Sequence, residues 1–263
     1  MFKFVTTKTL YDKRWAILAW SLGFAATIIF IVVLFPSFKD PQITQAFEKL
    51  PEELQSISGS FDINTIDKYL DAQVFFNNAT FILIILGISL GVSLLASEED
   101  RGTLETALST PVSRTRFYFE KLLALGIISL TVVFVGMLGT VVGLLIIGEW
   151  VSIVRLAQTT LMLVIFTLLY GSFALSVGAI SGSKRMAITI PTVVTVAMYI
   201  LYTFSFAVSQ LKGWEKLTWN YYFTNSKVVV NGINYVDLGV LLVFIAIFTF
   251  AGWYWFRKRD ISQ

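Results

Sequence analysis

Six apolar runs, each about 20 residues or longer, dominate the hydrophobic pattern of this chain. Because a helix rises ~1.5 Å per residue, about 20 residues cross the roughly 30 Å hydrocarbon core of a bilayer. The runs lack the alternation typical of barrel strands, and lipid offers the backbone no hydrogen-bond partners, so helices are predicted. We predict transmembrane helices at residues 16–35, 74–96, 122–147, 156–180, 186–209 and 237–256.

The composition agrees with a membrane protein and narrows its chemistry. Of the 263 residues, 56% are hydrophobic and 14% are charged, and the mean hydropathy is +0.75. A soluble globule of this length could not bury so much apolar surface. The chain has no Cys and no His, which removes thiolate chemistry and the commonest metal ligand. We predict an all-α polytopic membrane protein, a single transmembrane domain over residues 1–263, with no enzymatic activity, metal or cofactor of its own.

Asp, Glu, Lys and Arg are absent from the interior of the six predicted spans, and Glu149 and Asp237 lie only at their edges. Secondary transporters normally place an ionisable coupling residue or a broken, ion-binding helix within the membrane. The nearest approach to a phosphate-binding loop, residues 178–184, lacks the Lys that must follow its second Gly. The energy for any transport is therefore expected to come from another chain.

The cations are distributed unequally between the two sides of the predicted bundle. Thirteen of the 20 Lys and Arg residues lie on one side, on short tails and loops near helix ends, and seven lie on the other. Cytoplasmic loops carry such an excess of cations. Both termini and the loop between the second and third spans are therefore predicted to be cytoplasmic, and a bacterial or archaeal plasma membrane fits best.

A charged segment, residues 97–121, separates the second and third apolar runs and must face water. Ser97 begins a pattern typical of a capping box at the start of a short helix, and Gly102 offers a bend. Pro111 ends that helix because it lacks a donor and disfavours helical geometry in the preceding residue. Ser113 can cap the next span. The pattern predicts a short amphipathic helix across the cytoplasmic end of a helix pair.

The same segment resembles a known motif. Residues 98–114, EEDRGTLETALSTPVSR, are similar to the signature E-x-x-x-G-T-L-E-x-L-L-S-x-P-V-S-R of type-2 ATP-binding cassette (ABC) exporter permeases, with Ala107 in place of a usual Leu. In that family the segment contains the coupling helix, which docks into a groove of a separate ATPase subunit. The six spans, the cytoplasmic termini and the basic N-terminal segment agree with the family over essentially the whole chain.

The resemblance implies a function, partners and site residues. The chain would be the permease subunit of an ATP-driven exporter, and a second permease copy or a paralogue would form the other half of the translocation path. ATP and Mg²⁺ would bind in the partner ATPase, which Leu104 and Glu105 are expected to touch directly. The residues implied in ATPase coupling are Glu98, Arg101, Gly102, Thr103, Leu104, Glu105, Leu108 and Pro111.

Two other basic stretches have simpler predicted roles. Residues 1–15 interleave cations with aromatic and aliphatic side chains, which predicts a helix in the headgroup plane of the membrane. The resemblance implies an elbow helix here that also braces the ATPase. Arg114, Arg116 and Lys121 are expected only to anchor the third span at the membrane surface.

Small and irregular residues mark the predicted spans. Glycines recur at helical spacing in the second, third and fourth runs, which favours close packing between helices. Pro191 removes a helix hydrogen bond in the fifth run, where Thr hydroxyls can bond to the freed carbonyls. Pro191, Thr192 and Thr195 are therefore candidates for a pathway lining or a hinge, and a structural irregularity without function explains them equally well.

Residues 36–73 and 210–236 are predicted to be extracytoplasmic. The first segment is acidic and is long enough only for a small helical excursion. The second segment is dense in Trp, Tyr and Phe, which favour the headgroup level. The resemblance implies a re-entrant segment there, before the last span, and an ordinary aromatic belt is the alternative.

Two other functions stay open at this point. A secondary transporter or channel that works alone conflicts with the absence of charges within the spans. A non-transporting membrane scaffold agrees with the topology but leaves the charged segment unexplained. The uncharged spans mildly favour lipophilic or amphipathic cargo, and the direction of transport rests on the resemblance alone.

Overall fold

The computed structural model describes residues 4–38, 65–102, 104 and 112–259. These residues are largely helical and contain no strand, which confirms the predicted all-α fold. Six of the described helices are long and apolar enough to cross a membrane, as predicted. They are span 1, Arg14–Phe38; span 2, Ile66–Leu94; span 3, Arg114–Ile147; span 4, Ile153–Ser181; span 5, Lys184–Ser205; and span 6, Tyr235–Lys258.

Several helices extend beyond the apolar runs that predicted them. Span 3 already begins at Arg114 because Ser113 Oγ accepts a hydrogen bond from the Arg116 N–H (3.3 Å), which confirms the predicted cap. Span 2 begins with Ile66–Tyr69, continues through a π-helix at Leu70–Ala79 and becomes a regular α-helix at Thr80–Leu94. Hydropathy marks the part of a helix that suits hydrocarbon, whereas the helical backbone continues beyond it.

Glycines allow two pairs of spans to approach closely, as their spacing predicts. At Gly91 of span 2 a Cβ would lie 2.3 Å from the carbonyl oxygen of Gly171 in span 4. At Gly139 of span 3 a Cβ would lie 2.8 Å from the carbonyl oxygen of Ala25 in span 1. Lipid supplies little hydrophobic force between helices, so this close backbone contact carries much of their packing.

Span 4 is the central helix of the bundle. Its most apolar stretch is 78% buried, and it packs against spans 2, 3, 5 and 6. The corresponding stretches of spans 5 and 6 are each only 17% buried. Most of the surface of these two spans therefore faces outward, where lipid or a second permease can cover it.

The two ends of the bundle carry different elements. The end that we call the terminal face holds the N-terminal helix Val5–Asp12, the helix Ala96–Asp100 that follows span 2, and the last residues of span 6. The opposite end, the distal face, carries four short helices between spans 5 and 6. These distal helices are Ser209–Leu211, Trp214–Leu217, Trp219–Thr224 and Val228–Asn231.

Trp219 holds the distal helices between spans 4 and 6. Its buried ring contacts Tyr170 and Phe173 of span 4 and Phe248 of span 6, each with a ring-centroid separation of 5.5 Å. At ~1.5 Å per residue, Phe248 lies about 20 Å along span 6 from its distal end. The segment therefore packs against the middle of two spans, and its re-entrant path through a membrane stays a prediction. Of the other predicted outer segment, residues 39–64 lie outside the described part of the chain.

Candidate functional site

The segment between spans 2 and 3 begins with a short helix, Ala96–Asp100, which we call the connecting helix. A bend at Leu95 (φ −134°, ψ −65°) separates it from span 2. The predicted capping box at Ser97 is wrong, because the helix already starts at Ala96 and no side chain caps it. Gly102 has a left-handed backbone (φ 68°), which confirms the predicted bend.

Glu98 and Lys121 tie the connecting helix to span 3 and to the N-terminal helix. Lys121 Nζ lies 2.5 Å from Glu98 Oε1 and donates a hydrogen bond to Thr9 Oγ1 at 3.2 Å. The Lys121 side chain is 3% exposed and that of Glu98 is 30% exposed. A buried ammonium persists only with a partner, so the expectation that Lys121 merely anchors span 3 at the membrane surface is wrong.

Glu99, the next residue, ties the connecting helix to the end of span 6. Its carboxylate accepts hydrogen bonds from the Arg259 guanidinium, which also reaches the Gly178 carbonyl oxygen of span 4 at 3.5 Å. Arg114 Nη1 donates to the Arg259 carbonyl oxygen at 2.5 Å. Arg114 therefore has a contact within the protein as well, and the expectation that it serves only as a membrane anchor is wrong.

The turn between spans 4 and 5 leaves room for this second ion pair. Gly182 has a left-handed backbone (φ 64°), and a Cβ there would lie 2.5 Å from Arg259 Nη1 and 3.0 Å from Glu99 Oε1. A side chain at Gly182 would therefore strain the backbone and collide with the ion pair.

The N-terminal helix packs on the first turns of span 3 through polar side chains. The Thr6 N–H donates to Glu120 Oε2 at 3.1 Å, and Thr6 Oγ1 donates to the Glu120 carbonyl oxygen at 3.0 Å. Thr6 and Thr9 are buried, whereas Tyr11, and Phe4 directly before the helix, are exposed. The helix thus turns a polar face to the protein and aromatic side chains outward, as a helix in the headgroup plane does.

Cations surround Glu98 at the terminal face. Burial lowers the pKa of the Lys13 ammonium, and Glu98 opposes that shift, whereas Lys121 and Arg101 reinforce it. Arg116 instead pairs with Glu120 on span 3, with 2.8 Å between Nε and Oε1. Glu98 therefore interacts with two cations, Lys13 and Lys121, and Asp12 is a further acidic group near them.

The residues implied in ATPase coupling are only partly within the described residues. Arg101 and Gly102 are exposed beyond the connecting helix, whereas Leu104 is 1% exposed and belongs to the buried core. Thr103, Glu105, Leu108 and Pro111 lie outside the described residues.

Thr192 and Thr195, two of the candidate pathway residues, line a groove between spans 2 and 5. The fifth helix, Lys184–Ala207, runs on through Pro191, and Thr195 Oγ1 donates to the Pro191 carbonyl oxygen at 2.6 Å. The groove has a volume of about 550 Å³, and its lining is mostly apolar. Its principal lining residues are Ile84, Ile85, Ile88, Val92, Ile188 and Val196, with Ser97 and Lys184 from the terminal face.

The sequence reasoning missed the partners of the connecting helix, above all Arg259. Arg259 is far from Glu99 along the chain, and no periodicity links the two positions. One signal was available, because Glu98 and Glu99 form an acidic pair on the cation-rich side of the bundle. Acidic residues in such surroundings favour ion pairs between loops.

The comparison with known families uses nearly the whole chain and not this segment alone. The sequence model described as ABC-2 family transporter protein matches residues 10–261. This chain belongs to the ABC-2 transporter family. The resemblance predicted from the charged segment is thereby confirmed, and the chain is a membrane transport component of the ABC-2 permease type. Membership in this family implies, in general, an ABC ATPase as partner. A search of curated proteins finds no match.

Proposed function

We propose that this ABC-2 permease is the membrane subunit of an ATP-driven exporter, and that a separate ATPase moves it through the segment between spans 2 and 3. The proposal rests on two ion pairs of the connecting helix, Glu98 with Lys121 and Glu99 with Arg259. Through Glu98 and Glu99 this helix is joined to the N-terminal helix, span 3 and the end of span 6. A force applied to the segment would therefore reach several elements at once.

The connecting helix is poorly suited to moving alone. Separating Glu98 from Lys121 would leave a buried ammonium without its charged partner, which costs about 3–5 kcal/mol for a buried pair. Only one residue, Leu95, separates this helix from span 2, and the chain bends there. We expect that an ATPase displacing the segment shifts span 2 and the N-terminal helix together instead of merely deforming a loop.

The ATPase is proposed to dock on the part of the segment that follows the connecting helix in the sequence. Exposed Arg101 and Gly102 mark the start of that surface. Glu105 keeps its predicted role as a direct contact. Leu104 is buried within this chain, so a contact between its side chain and the ATPase would require it to leave the core.

The translocation path is proposed to follow the groove between spans 2 and 5. Because span 2 leads directly into the connecting helix, movement of that helix would change the width of the groove. Its mostly apolar lining suits a lipophilic or amphipathic cargo. A second copy of the chain, or a paralogue, would provide the opposite wall, which agrees with the outward-facing surface of span 5.

Energy supply and orientation complete the proposal. ATP and Mg²⁺ would bind in the ATPase, and this chain would hold no cofactor and catalyse no reaction. The termini would lie in the cytoplasm, with the chain in the plasma membrane of a bacterium or an archaeon. The distribution of Lys and Arg supports this orientation.

The test is reconstitution with the ABC ATPase encoded in a neighbouring reading frame, recognised by a G-x-x-x-x-G-K-[ST] motif. We expect a stable complex whose ATP hydrolysis differs from that of the free ATPase, and we expect Glu105→Ala to weaken the complex. Arg259→Gln should uncouple hydrolysis from the permease while the complex still forms. Its matched control, Arg257→Gln, alters an exposed neighbouring cation and should behave as the wild type. Transport by the chain without any ATPase would contradict the proposal and favour a secondary transporter.

A further inference from the structure

A second cavity opens at the distal face, at the opposite end of the bundle from the connecting helix. It has a volume of about 400 Å³ and lies between the start of span 2, span 4, the end of span 5 and the distal helices. Ligand cavities in proteins commonly measure about 300–1,000 Å³. The groove between spans 2 and 5 has a different lining, so this cavity belongs to neither the proposed path nor the coupling segment.

Among the described residues that line this cavity, positive charge is in excess. Lys68 and Lys227 contribute two ammonium groups, and Asp71 contributes one carboxylate. Both oxygens of that carboxylate bind the backbone, since Oδ1 accepts from the Val229 N–H and Oδ2 accepts from the Val230 N–H, both at 3.1 Å. The acidic group thus holds a distal helix in place, and the excess positive charge favours an anion.

The cavity also has an aromatic part in its lining. Phe75 and Phe76 line it, and Phe76 meets Tyr202 edge to face at a centroid separation of 5.9 Å. The Tyr202 hydroxyl is hydrogen-bonded to Thr224 Oγ1 at 2.8 Å, so the tyrosine offers the cavity mainly its ring. Aromatic rings of this kind pack well against hydrocarbon and interact only weakly with a small hydrated ion.

Two unusual backbone conformations meet at the cavity. The π-helix Leu70–Ala79 supplies Asp71, Phe75 and Phe76 to its lining. Lys227 has a left-handed backbone (φ 41°, ψ 62°) and is, within the described part of the chain, the one residue other than glycine with positive φ. Extended π-helices and left-handed residues with side chains are uncommon and concentrate at functional sites.

We propose that the distal cavity binds an anionic amphiphile, a molecule with a phosphate headgroup on a hydrocarbon chain. Lys68 and Lys227 contact the headgroup, and Phe75 and Phe76 contact the first carbons of the chain. A cation is disfavoured by the two ammonium groups, and a neutral hydrocarbon makes no use of them. The inference does not depend on ATPase coupling, because one chain supplies the whole cavity.

Binding to the purified full-length chain in a neutral detergent tests this proposal. Octyl phosphate is titrated by calorimetry, with octyl glucoside as the neutral amphiphile and inorganic phosphate as the anion without a chain. We expect saturable binding of octyl phosphate that is much tighter than that of either control ligand. The two controls separate a headgroup on a chain from free phosphate and from a purely apolar pocket.

Variants of the lining residues test whether octyl phosphate binds in this cavity. Lys227→Gln and Lys68→Gln should each raise the Kd for octyl phosphate by about tenfold, the usual effect of losing one charge-assisted contact. Lys227→Arg keeps the charge and should stay close to the wild type. The control Lys216→Gln alters an exposed distal lysine that does not line the cavity and should change nothing.

Three outcomes would overturn the proposal. Wild-type affinity in both Lys227→Gln and Lys68→Gln would place the binding elsewhere. Equal binding of octyl glucoside would reveal an apolar pocket without headgroup recognition. Equal binding of inorganic phosphate would reveal a simple anion site. Size-exclusion chromatography of each variant establishes that it is folded. If Lys227→Gln does not fold, Lys68→Gln together with Phe76→Ala decides the question, and wild-type affinity in both would again overturn it.

Discussion

Removing Glu98 and removing Lys121 should destabilise the chain by different amounts, because the two side chains of this ion pair differ in burial. In Glu98→Gln the Lys121 ammonium, 3% exposed, loses its charged partner and keeps only neutral partners such as the Thr9 hydroxyl. Breaking a buried pair in this way costs about 3–5 kcal/mol. In Lys121→Met the remaining Glu98 carboxylate is 30% exposed and lies close to Lys13, so we expect a smaller cost, about 1–3 kcal/mol.

The double variant Glu98→Gln/Lys121→Met separates the interaction from the individual side chains. With both charges removed, no ion is left buried, so the double variant should be more stable than Glu98→Gln alone. The assay is the thermal unfolding of the purified chain in detergent, together with ATP hydrolysis in the complex with the ATPase. The reasoning is refuted if Lys121→Met is the more destabilising single variant, or if the two single effects simply add in the double variant.

Three further predictions concern packing and the distal helices. Gly91→Ala places a methyl group against the backbone of span 4 and should destabilise the bundle by about 1–3 kcal/mol in thermal unfolding, whereas Gly126→Ala, where a Cβ meets nothing within 4 Å, should not. Gly182→Ala forces a left-handed backbone on alanine and disturbs the Arg259 ion pair, so it should also lower the unfolding temperature relative to Gly126→Ala. Asp71→Asn loses charge-assisted hydrogen bonds worth about 1.5–3 kcal/mol and should speed amide hydrogen exchange in the last distal helix, unlike Asp67→Asn.

Each of these predictions has a result that contradicts it. Equal unfolding temperatures for Gly91→Ala and Gly126→Ala would mean that spans 2 and 4 are not packed as closely as described. A wild-type unfolding temperature for Gly182→Ala would show that this turn tolerates a side chain. Equal exchange in Asp71→Asn and Asp67→Asn would show that the Asp71 carboxylate does not hold the distal helices.

The features that could be predicted from the sequence are those with a local physical cause. A bilayer imposes a minimum length on apolar helices, so the six spans follow from the hydrophobic pattern alone. Ser113 caps span 3, and Gly91 packs against span 4, because capping and small-residue packing depend on residue type and spacing.

The features that could not be predicted depend on how distant parts of the chain come together. Ser97 was expected to cap a helix because its neighbours suit a capping box, but the connecting helix starts directly after the bend at Leu95 and places Ser97 within it. Lys121 looked like a surface anchor because it flanks an apolar run. Span 3 in fact begins earlier, and the N-terminal helix and the connecting helix cover Lys121.

The distal cavity could not be predicted from the sequence for the same reason. Asp71 and Val229 are separated by most of the chain, yet the carboxylate of one caps the backbone of the other. Sequence composition identified an acidic segment and an aromatic segment, but only the fold brings them to one cavity. The resemblance carried by the charged segment identified the family, and the match over residues 10–261 supports that identification. It did not predict which side chains line the distal cavity.

The most direct test of the account is site-specific cross-linking from position 105 of the chain to the ATPase. The chain contains no Cys, so a single cysteine introduced by Glu105→Cys can carry a photoactivatable cross-linker without further changes. The account predicts an adduct with the ATPase, and no labelling of this cysteine in intact cells by a thiol reagent that cannot cross the membrane. Labelling from outside the cell, with no adduct to the ATPase, would contradict the claim that this segment couples the bundle to ATP hydrolysis.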